Sequence, residues 1–425
     1  MIIGIGFVLL LLIGVPIAFV LGLTGVIHMY STGNYLLFNN VAQRMFTGID
    51  TFSLMAVPLF ILAGDLMNSG GLTVRLVNFA RALIGHLRGG LAYVSIMVSM
   101  FMAAIVGSAT AVTALQCNTL VPEMVRDDYE EDFAVAVATG SSIMGPIIPP
   151  SMFFVVYGVV AGVSIGGLFI GGVIPGVLLG LSMMVVAYFY IKKKGYPVKP
   201  RASLRTLGKV TVEALPALLL PLIIMGGILS GVFTPTECGG AAVFVALIVG
   251  FFVYRELTWK KIPKILGQTA ITTASILLVV ATANIFGWTL AIEQIPQKIA
   301  QLMLSISTNK YVLLFIINIF LLIVGCIMEA FAAIVILVPV FKPIIAQLGI
   351  DPLHFGMVVC FNLIVGMITP PVGLCLFVAS SITKLTIEKI TRAIFPFICV
   401  SVVVLLLVTY LPTLSVWLPR LFKLH

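Results

Sequence analysis

The segments GPIIPPS (Gly145–Ser151) and GMITPPV (Gly366–Val372) lie 221 residues apart and share a Gly-x-x-x-Pro-Pro core. Each sits inside an apolar stretch of bilayer-spanning length. Two consecutive prolines remove two backbone donors and clash with the preceding turn, so a helix entering either segment has to break there. Broken backbone at membrane depth must be buried in protein or line a cavity. A single such break reads most simply as a packing kink. Two at equivalent positions of one chain point to a site.

Outward from this pair, the same offset carries Pro175 onto Pro396 and Ser108 onto Glu329. With one residue of slippage, TFSLMAVPLFILAGDLM (Thr51–Met67) faces TASILLVVATANIFGWT (Thr273–Thr289), and the amphipathic stretch Gly71–Arg88 faces Ile292–Asn309. Self-similarity at one fixed offset is the mark of an internal duplication.

Of 425 residues, 61% are hydrophobic and 9% charged, whereas soluble domains carry roughly 25% charged residues. An α-helix needs about 20 apolar residues to cross the hydrocarbon core. Full spans are predicted near 3–30, 52–69, 133–160, 166–191, 212–231, 237–254, 270–291, 355–382 and 391–416. The first of these, MIIGIGFVLLLLIGVPIAFV onward, lacks a basic n-region and a cleavage site and reads as a retained span. Two stretches, 91–124 and 311–346, are too long for one span and too short for two. Their middles hold VGSAT (Val106–Thr110) and VGCIME (Val324–Glu329). A re-entrant hairpin of two half-helices fits both.

Counting Lys and Arg tests the orientation. With the N-terminus inside, cytoplasmic loops hold 18 of the 24 basic residues, and Arg44, Lys298, Lys310, Lys342, Arg420 and Lys423 remain outside. The positive-inside rule selects this topology, and it accounts for the net charge of +9 without nucleic acid. Residues 1–191 then form a first repeat, with arm helix 71–88, hairpin 91–124 and broken span 133–160. Residues 192–236 supply a basic cytoplasmic loop and one extra span. Residues 237–425 form a second repeat, with arm helix 292–309, hairpin 311–346 and broken span 355–382. The first repeat makes four crossings and the extra span a fifth, so the second repeat enters from the opposite face. Inverted repeats of this kind are characteristic of secondary transporters, whose sites lie near the midplane.

Each broken span should face a hairpin tip. One candidate site therefore gathers Ser108, Ala109 and Thr110 with Ser141, Ser142, Gly145, Pro149 and Pro150. Its counterpart gathers Gly325, Met328 and Glu329 with Gly366, Thr369, Pro370 and Val372. Hydroxyl and carbonyl oxygens suit Na⁺, placed at Ser108 and Gly145 and at Gly325, Gly366 and Thr369. Glu329, mid-segment, is a functional candidate by position: cation ligand, proton relay, or partner of a base elsewhere. Asp65 and Glu237, at span ends, read as helix caps. Gly166–Gly167 and Gly171–Gly172 read as close-packing faces. The cysteines at 117, 238, 326, 360, 375 and 399 form no CxxC pair and read as buried free thiols. The histidines at 28, 86, 354 and 425 have no metal-ligand spacing, and no GxxxxGK[ST] sequence exists for ATP. No nucleophile–base cluster suggests an enzyme.

The chain resembles, over nearly its full length, the large membrane (M) subunit of tripartite ATP-independent periplasmic (TRAP) transporters. The resemblance is carried by PLFILAGDLM (Pro58–Met67), IVGSATA (Ile105–Ala111), GPIIPPS (Gly145–Ser151), GVFTPTE (Gly231–Glu237) and GMITPPVG (Gly366–Gly373). It implies an all-α, elevator-type ion-transporter fold with two re-entrant hairpins and two broken spans, in a bacterial inner membrane. It also implies Na⁺ coupling with no other cofactor, a separate four-span small membrane (Q) subunit, and a periplasmic substrate-binding (P) protein. The implied substrate is a small carboxylate, with sialic acid preferred over C4-dicarboxylates. An ion channel would need a continuous lined pore, and a one-component carrier of the same fold would need no binding protein.

Overall fold

The computed structural model describes residues 2–33, 35–196 and 198–424, and within them the chain is helical with no strand. Among the described residues, eight helices are long and apolar enough to cross a bilayer. Both expected hairpins are helix–break–helix units. The first runs Gly90–Val106 and Ala109–Arg126, and the second Lys310–Ile327 and Ala330–Gln347. Gly107, with φ +60°, makes the first tip a tight reversal that a side chain would strain. The second tip is the extended pair Met328–Glu329. Both expected broken spans are broken: Glu131–Ser142 gives way to Met152–Ala161, and Pro352–Gly366 to Leu374–Thr383. The Pro149–Pro150 and Pro370–Pro371 bonds, both cis, lie in the gaps.

The order of elements recurs in the two halves, and so does their packing. Ile17–Ser31 packs on the long helix Ile262–Ile292, while Pro235–Ile248 packs on Ala56–Ser69. The second arm of each hairpin packs on the second half of the other half's broken span. Polar side chains tie each hairpin to its own broken span. Gln116 joins Ser95 and Ser99, Ser99 meets Ser141 at 2.8 Å, and Thr113 donates to Ser142 at 2.7 Å. In the second half Asn318 bonds Asn362 and, at 3.2 Å, Thr409. In hydrocarbon such groups have no water to fall back on, so these side-chain bonds fix how the helices seat.

Several boundaries differ from the sequence reading. The span expected at 3–30 is two helices, Ile2–Leu12 and Ile17–Ser31, because Gly14 at φ +84° and Pro16 interrupt it. The extra span begins at Leu204, capped by Ser203, so Arg205 and Lys209 are helical. The arm helices are shorter than expected, Leu72–Ile84 and Ile295–Ile306. They start after left-handed residues, Gly71 and Gln294. The last span ends at Tyr410, and a separate amphipathic helix, Thr413–Leu421, packs against Ile165–Lys194. The short helices Tyr35–Asn40 and Val41–Ile49 had no counterpart in the sequence reading. Five of the six cysteines are buried and all six are free, but Cys399 is exposed, against expectation. His425 lies outside the described residues.

Candidate functional site

Four half-helices start at one place. Ala109–Arg126, capped by Ser108, and Ala330–Gln347, preceded by Glu329, come from the hairpins. Met152–Ala161, capped by Ser151, and Leu374–Thr383, preceded by Gly373, come from the broken spans. Residues from the first turn of each, Thr110, Phe331, Met152 and Leu374, line a single cavity of about 570 Å³. Helix N-termini carry unpaired N–H groups and about half a positive charge each, so the four starts bring positive potential to a cavity that Asp65 and Glu329 also line.

The tips meet the breaks closely. A Cβ on Gly107 would sit 3.2 Å from the Pro150 carbonyl oxygen, and one on Gly145 would sit 3.3 Å from the Ser108 carbonyl oxygen. On the other side Gly325 and Gly366 lie back to back, so that a Cβ on Gly366 would sit 2.6 Å from the Gly325 Cα. The Gly373 N–H donates to the Cys326 carbonyl at 3.2 Å. These glycines are small because backbone from another element occupies the space of a side chain, and that approach brings tip and break carbonyls together.

Of the residues singled out from sequence, Ser108, Thr110 and Glu329 line the cavity. Ser108 and Thr110 share a hydroxyl contact of 3.1 Å, and the Glu329 side chain is open to the cavity with no basic partner among the described residues. Gly145, Gly325 and Gly366 form the close approaches, and Thr369 donates to the Val365 carbonyl at 2.8 Å. Ala109, Pro149 and Pro150 are buried, while Met328 and Val372 are half-buried and Pro370 is exposed. Ser141 and Ser142 do not reach the cavity. They are fully buried, and their hydroxyls are used in binding the hairpin to its broken span.

The opposite wall was missed from sequence. Helix Ala56–Ser69 presents Asp65 and Asn68, and helix Ile262–Ile292 presents Gln268, Thr272 and Ser275. Asp65 lies inside its helix and lines the cavity, where it accepts a hydrogen bond from Thr269 at 2.9 Å, so it is not a cap. Glu237 does cap its helix, in a reciprocal box with Thr234 at 2.7–3.3 Å. The missed signal was QTAITTAS (Gln268–Ser275), where polar residues recur at i, i+4 and i+7 inside an apolar span.

A multi-span helical protein in which paired breaks converge on one cavity is a transport permease by architecture. The family model for the DctM component of the tripartite ATP-independent periplasmic transporters matches residues 4–414, and the chain belongs to that family. It is therefore a permease of the bacterial inner membrane and not an enzyme. The sialic acid large permease SiaM of Vibrio cholerae is 42% identical, covering 98% of this chain and 97% of the relative. The C4-dicarboxylate large permease DctM of Pseudomonas aeruginosa is 41% identical, covering 90% and 89%. The isethionate permease DctMQ of Oleidesulfovibrio alaskensis is 43% identical over 97% of this chain, which spans 65% of that longer protein. Among solved structures, the YdaH transporter of Alcanivorax borkumensis shares the fold, with a TM-score of 0.63 at 18% identity, covering 93% of this chain and 90% of that one.

Proposed function

We propose that this chain is the translocating subunit of a Na⁺-driven importer of a small carboxylate, working with a small membrane subunit and a periplasmic binding protein. The observation that carries the reading is the convergence of four half-helix N-termini on one cavity. Such N-termini can hold an anion where no basic side chain lines the cavity among the described residues, provided it sits away from Asp65 and Glu329. The names of the relatives support a carboxylate or related anion, with sialic acid and C4-dicarboxylate both among their substrates.

In this reading the two hairpins are re-entrant and, with the broken spans, form a body that slides as an elevator. The remaining spans are the scaffold, and Leu72–Ile84 and Ile295–Ile306 are the connecting arms. Na⁺ enters with the substrate, held by oxygens at Ser108 and Gly145 and at Gly325, Gly366 and Thr369. An ion bridging tip and break would order both half-helix ends and so raise affinity for the anion. That differential is the coupling.

The test is uptake of labelled sialic acid and succinate into proteoliposomes holding this chain with its small partner. Assays would run with and without the binding protein and an inward Na⁺ gradient. Uptake requiring both supports the tripartite reading. Uptake without the binding protein would replace it with a one-component carrier, and uptake driven by protons alone would remove the Na⁺ sites.

A further inference from the structure

A second groove, of about 490 Å³, lies apart from the central cavity. Leu66 of helix Ala56–Ser69, Phe244 of Pro235–Ile248, Phe251 and Trp259 beyond it, and Ile262 and Leu266 of Ile262–Ile292 wall it, and every lining side chain is aliphatic or aromatic. Trp259 is 78% exposed and rests against Phe251, with ring centroids 4.7 Å apart. Trp259 and Ile262 belong to the segment RELTWKKIPK (Arg255–Lys264), which holds four basic residues and one acidic residue. The acid, Glu256, is taken by Arg75. Lys260, Lys261 and Lys264 are exposed and pair with no carboxylate among the described residues. Lys261 Nζ donates only to a backbone carbonyl, that of Glu256, at 2.9 Å. The positive-inside rule puts this segment at the cytoplasmic boundary.

Any lipid tail can fill an apolar furrow in a bilayer, so the furrow alone selects nothing. Selection needs a polar end, and here that end is cationic and lies at the level of the headgroups. We propose that the groove is a site for an anionic phospholipid, with one acyl chain along Phe244 and Leu266 and the phosphate at Lys260, Lys261 and Lys264. Each lysine near the membrane surface adds attraction for a headgroup of net negative charge. A zwitterionic headgroup gains no such net term. Trp259, at the junction of groove and lysines, has the amphipathic ring suited to that level. A span of a partner subunit would cover the aromatic wall but would leave the three lysines without an anion. The assignment does not rest on the import reading.

The test is quenching of Trp259 fluorescence by brominated lipids in phosphatidylcholine vesicles holding the full chain, alone and with its small membrane partner. The difference between wild type and Trp259→Phe isolates the signal from the other tryptophans. Brominated phosphatidylglycerol and brominated phosphatidylcholine are compared at one mole fraction. The anionic lipid should be preferred at Trp259 by about fivefold or more. Combining Lys260→Gln, Lys261→Gln and Lys264→Gln should bring that ratio to about one. All three lysines are exposed, and thermal unfolding checks that the combined variant folds. Equal quenching by the two lipids, or a preference that survives the lysine changes, overturns the site. Quenching by neither lipid overturns it as well. Quenching of the chain alone that disappears with the partner bound assigns the groove to a protein interface instead.

Discussion

Ser108 and Glu329, 221 residues apart, hold the same station in the two hairpins: each is the residue before the second arm, and each faces the shared cavity. The Ser108 hydroxyl accepts from the Ala111 N–H at 3.4 Å, whereas the Glu329 carboxylate lies near the Phe331 and Ala332 N–H groups without a cap bond of that geometry. The same position therefore carries a neutral hydroxyl cap in one half and a carboxyl group at the helix start in the other.

This asymmetry separates two variants. Ser108→Ala should lose about 1 kcal/mol of local cap energy, raising the Na⁺ concentration for half-maximal uptake by roughly tenfold at most. Glu329→Gln keeps the shape and removes the charge, and should lower Na⁺-driven uptake about tenfold or more, as expected for an intramembrane carboxylate with a functional role. Na⁺ titrations of uptake, with thermal unfolding as the folding control, measure both. Wild-type uptake by Glu329→Gln would make the carboxylate dispensable.

Both breaks and both tips were legible from sequence because proline and glycine act through backbone geometry, which a sequence carries directly. Pro149–Pro150 and Pro370–Pro371 fall in the gaps, and VGSAT and VGCIME contain the tips. What was not legible is which wall faces the tips. Asp65 sits near the end of its apolar segment and reads as a cap until helix Ile262–Ile292 is laid beside it. Ser141 and Ser142 were legible as polar residues near a break, but their direction is set by partners on the hairpin, Ser99 and Thr113. Long-range packing of that kind leaves no local pattern. The interruption at Gly14 and Pro16 had a local signal, and the surrounding apolar run outweighed it.

Gly366 tests the close approach of tip and break. An alanine there would drive its Cβ to 2.6 Å from the Gly325 Cα and 2.8 Å from the Cys326 N. Backbone cannot yield as a flexible side chain can, so Gly366→Ala should cost about 1–3 kcal/mol as overpacking does, and should also lower Na⁺ affinity. Gly287→Ala is the control. Gly287 lies within helix Ile262–Ile292 with nothing within 4 Å of an added Cβ, so the change should be neutral or stabilising by up to about 1 kcal/mol. Thermal unfolding in Na⁺ and in K⁺ reads both. Equal behaviour of the two variants would argue against the tight seam.

Glu130 gives a pH prediction away from the membrane interior. It precedes helix Glu131–Ser142, and Lys194 and Tyr190 both donate to its carboxylate, which holds it below the usual carboxylate range. A depressed folded-state value means the stabilisation is present in full above the unfolded value, near pH 4.3, and is lost as pH falls through the folded one. The pair is more than a third exposed, at 43% and 42% for the two side chains, so its contribution is small. Between about pH 6 and 8 the pH slope of the unfolding temperature should be the same for wild type and Glu130→Gln. Below roughly pH 4.5 the wild type should lose stability faster than the variant. Parallel curves down to acid would remove the charge-assisted bond from the account.

Thr272 offers the most direct test of where the cavity lies. It sits within helix Ile262–Ile292, a segment apolar enough to cross a membrane, yet it is exposed and lines the cavity beside Gln268 and Ser275. Phe244, in helix Pro235–Ile248, is 64% exposed but belongs to a separate groove walled by apolar side chains. Reactive thiolate needs water, so the two exposures predict opposite chemistry. In a background with the native cysteines replaced, Thr272→Cys should react with a small water-soluble methanethiosulfonate, and substrate with Na⁺ should slow the reaction severalfold. Phe244→Cys should stay unreactive under the same conditions because lipid covers it. Reaction at both positions would mean that exposure here reports only the lipid-facing perimeter. Protection of Thr272→Cys by substrate in Na⁺ but not in K⁺ would tie the polar wall to the same ion that orders the tips.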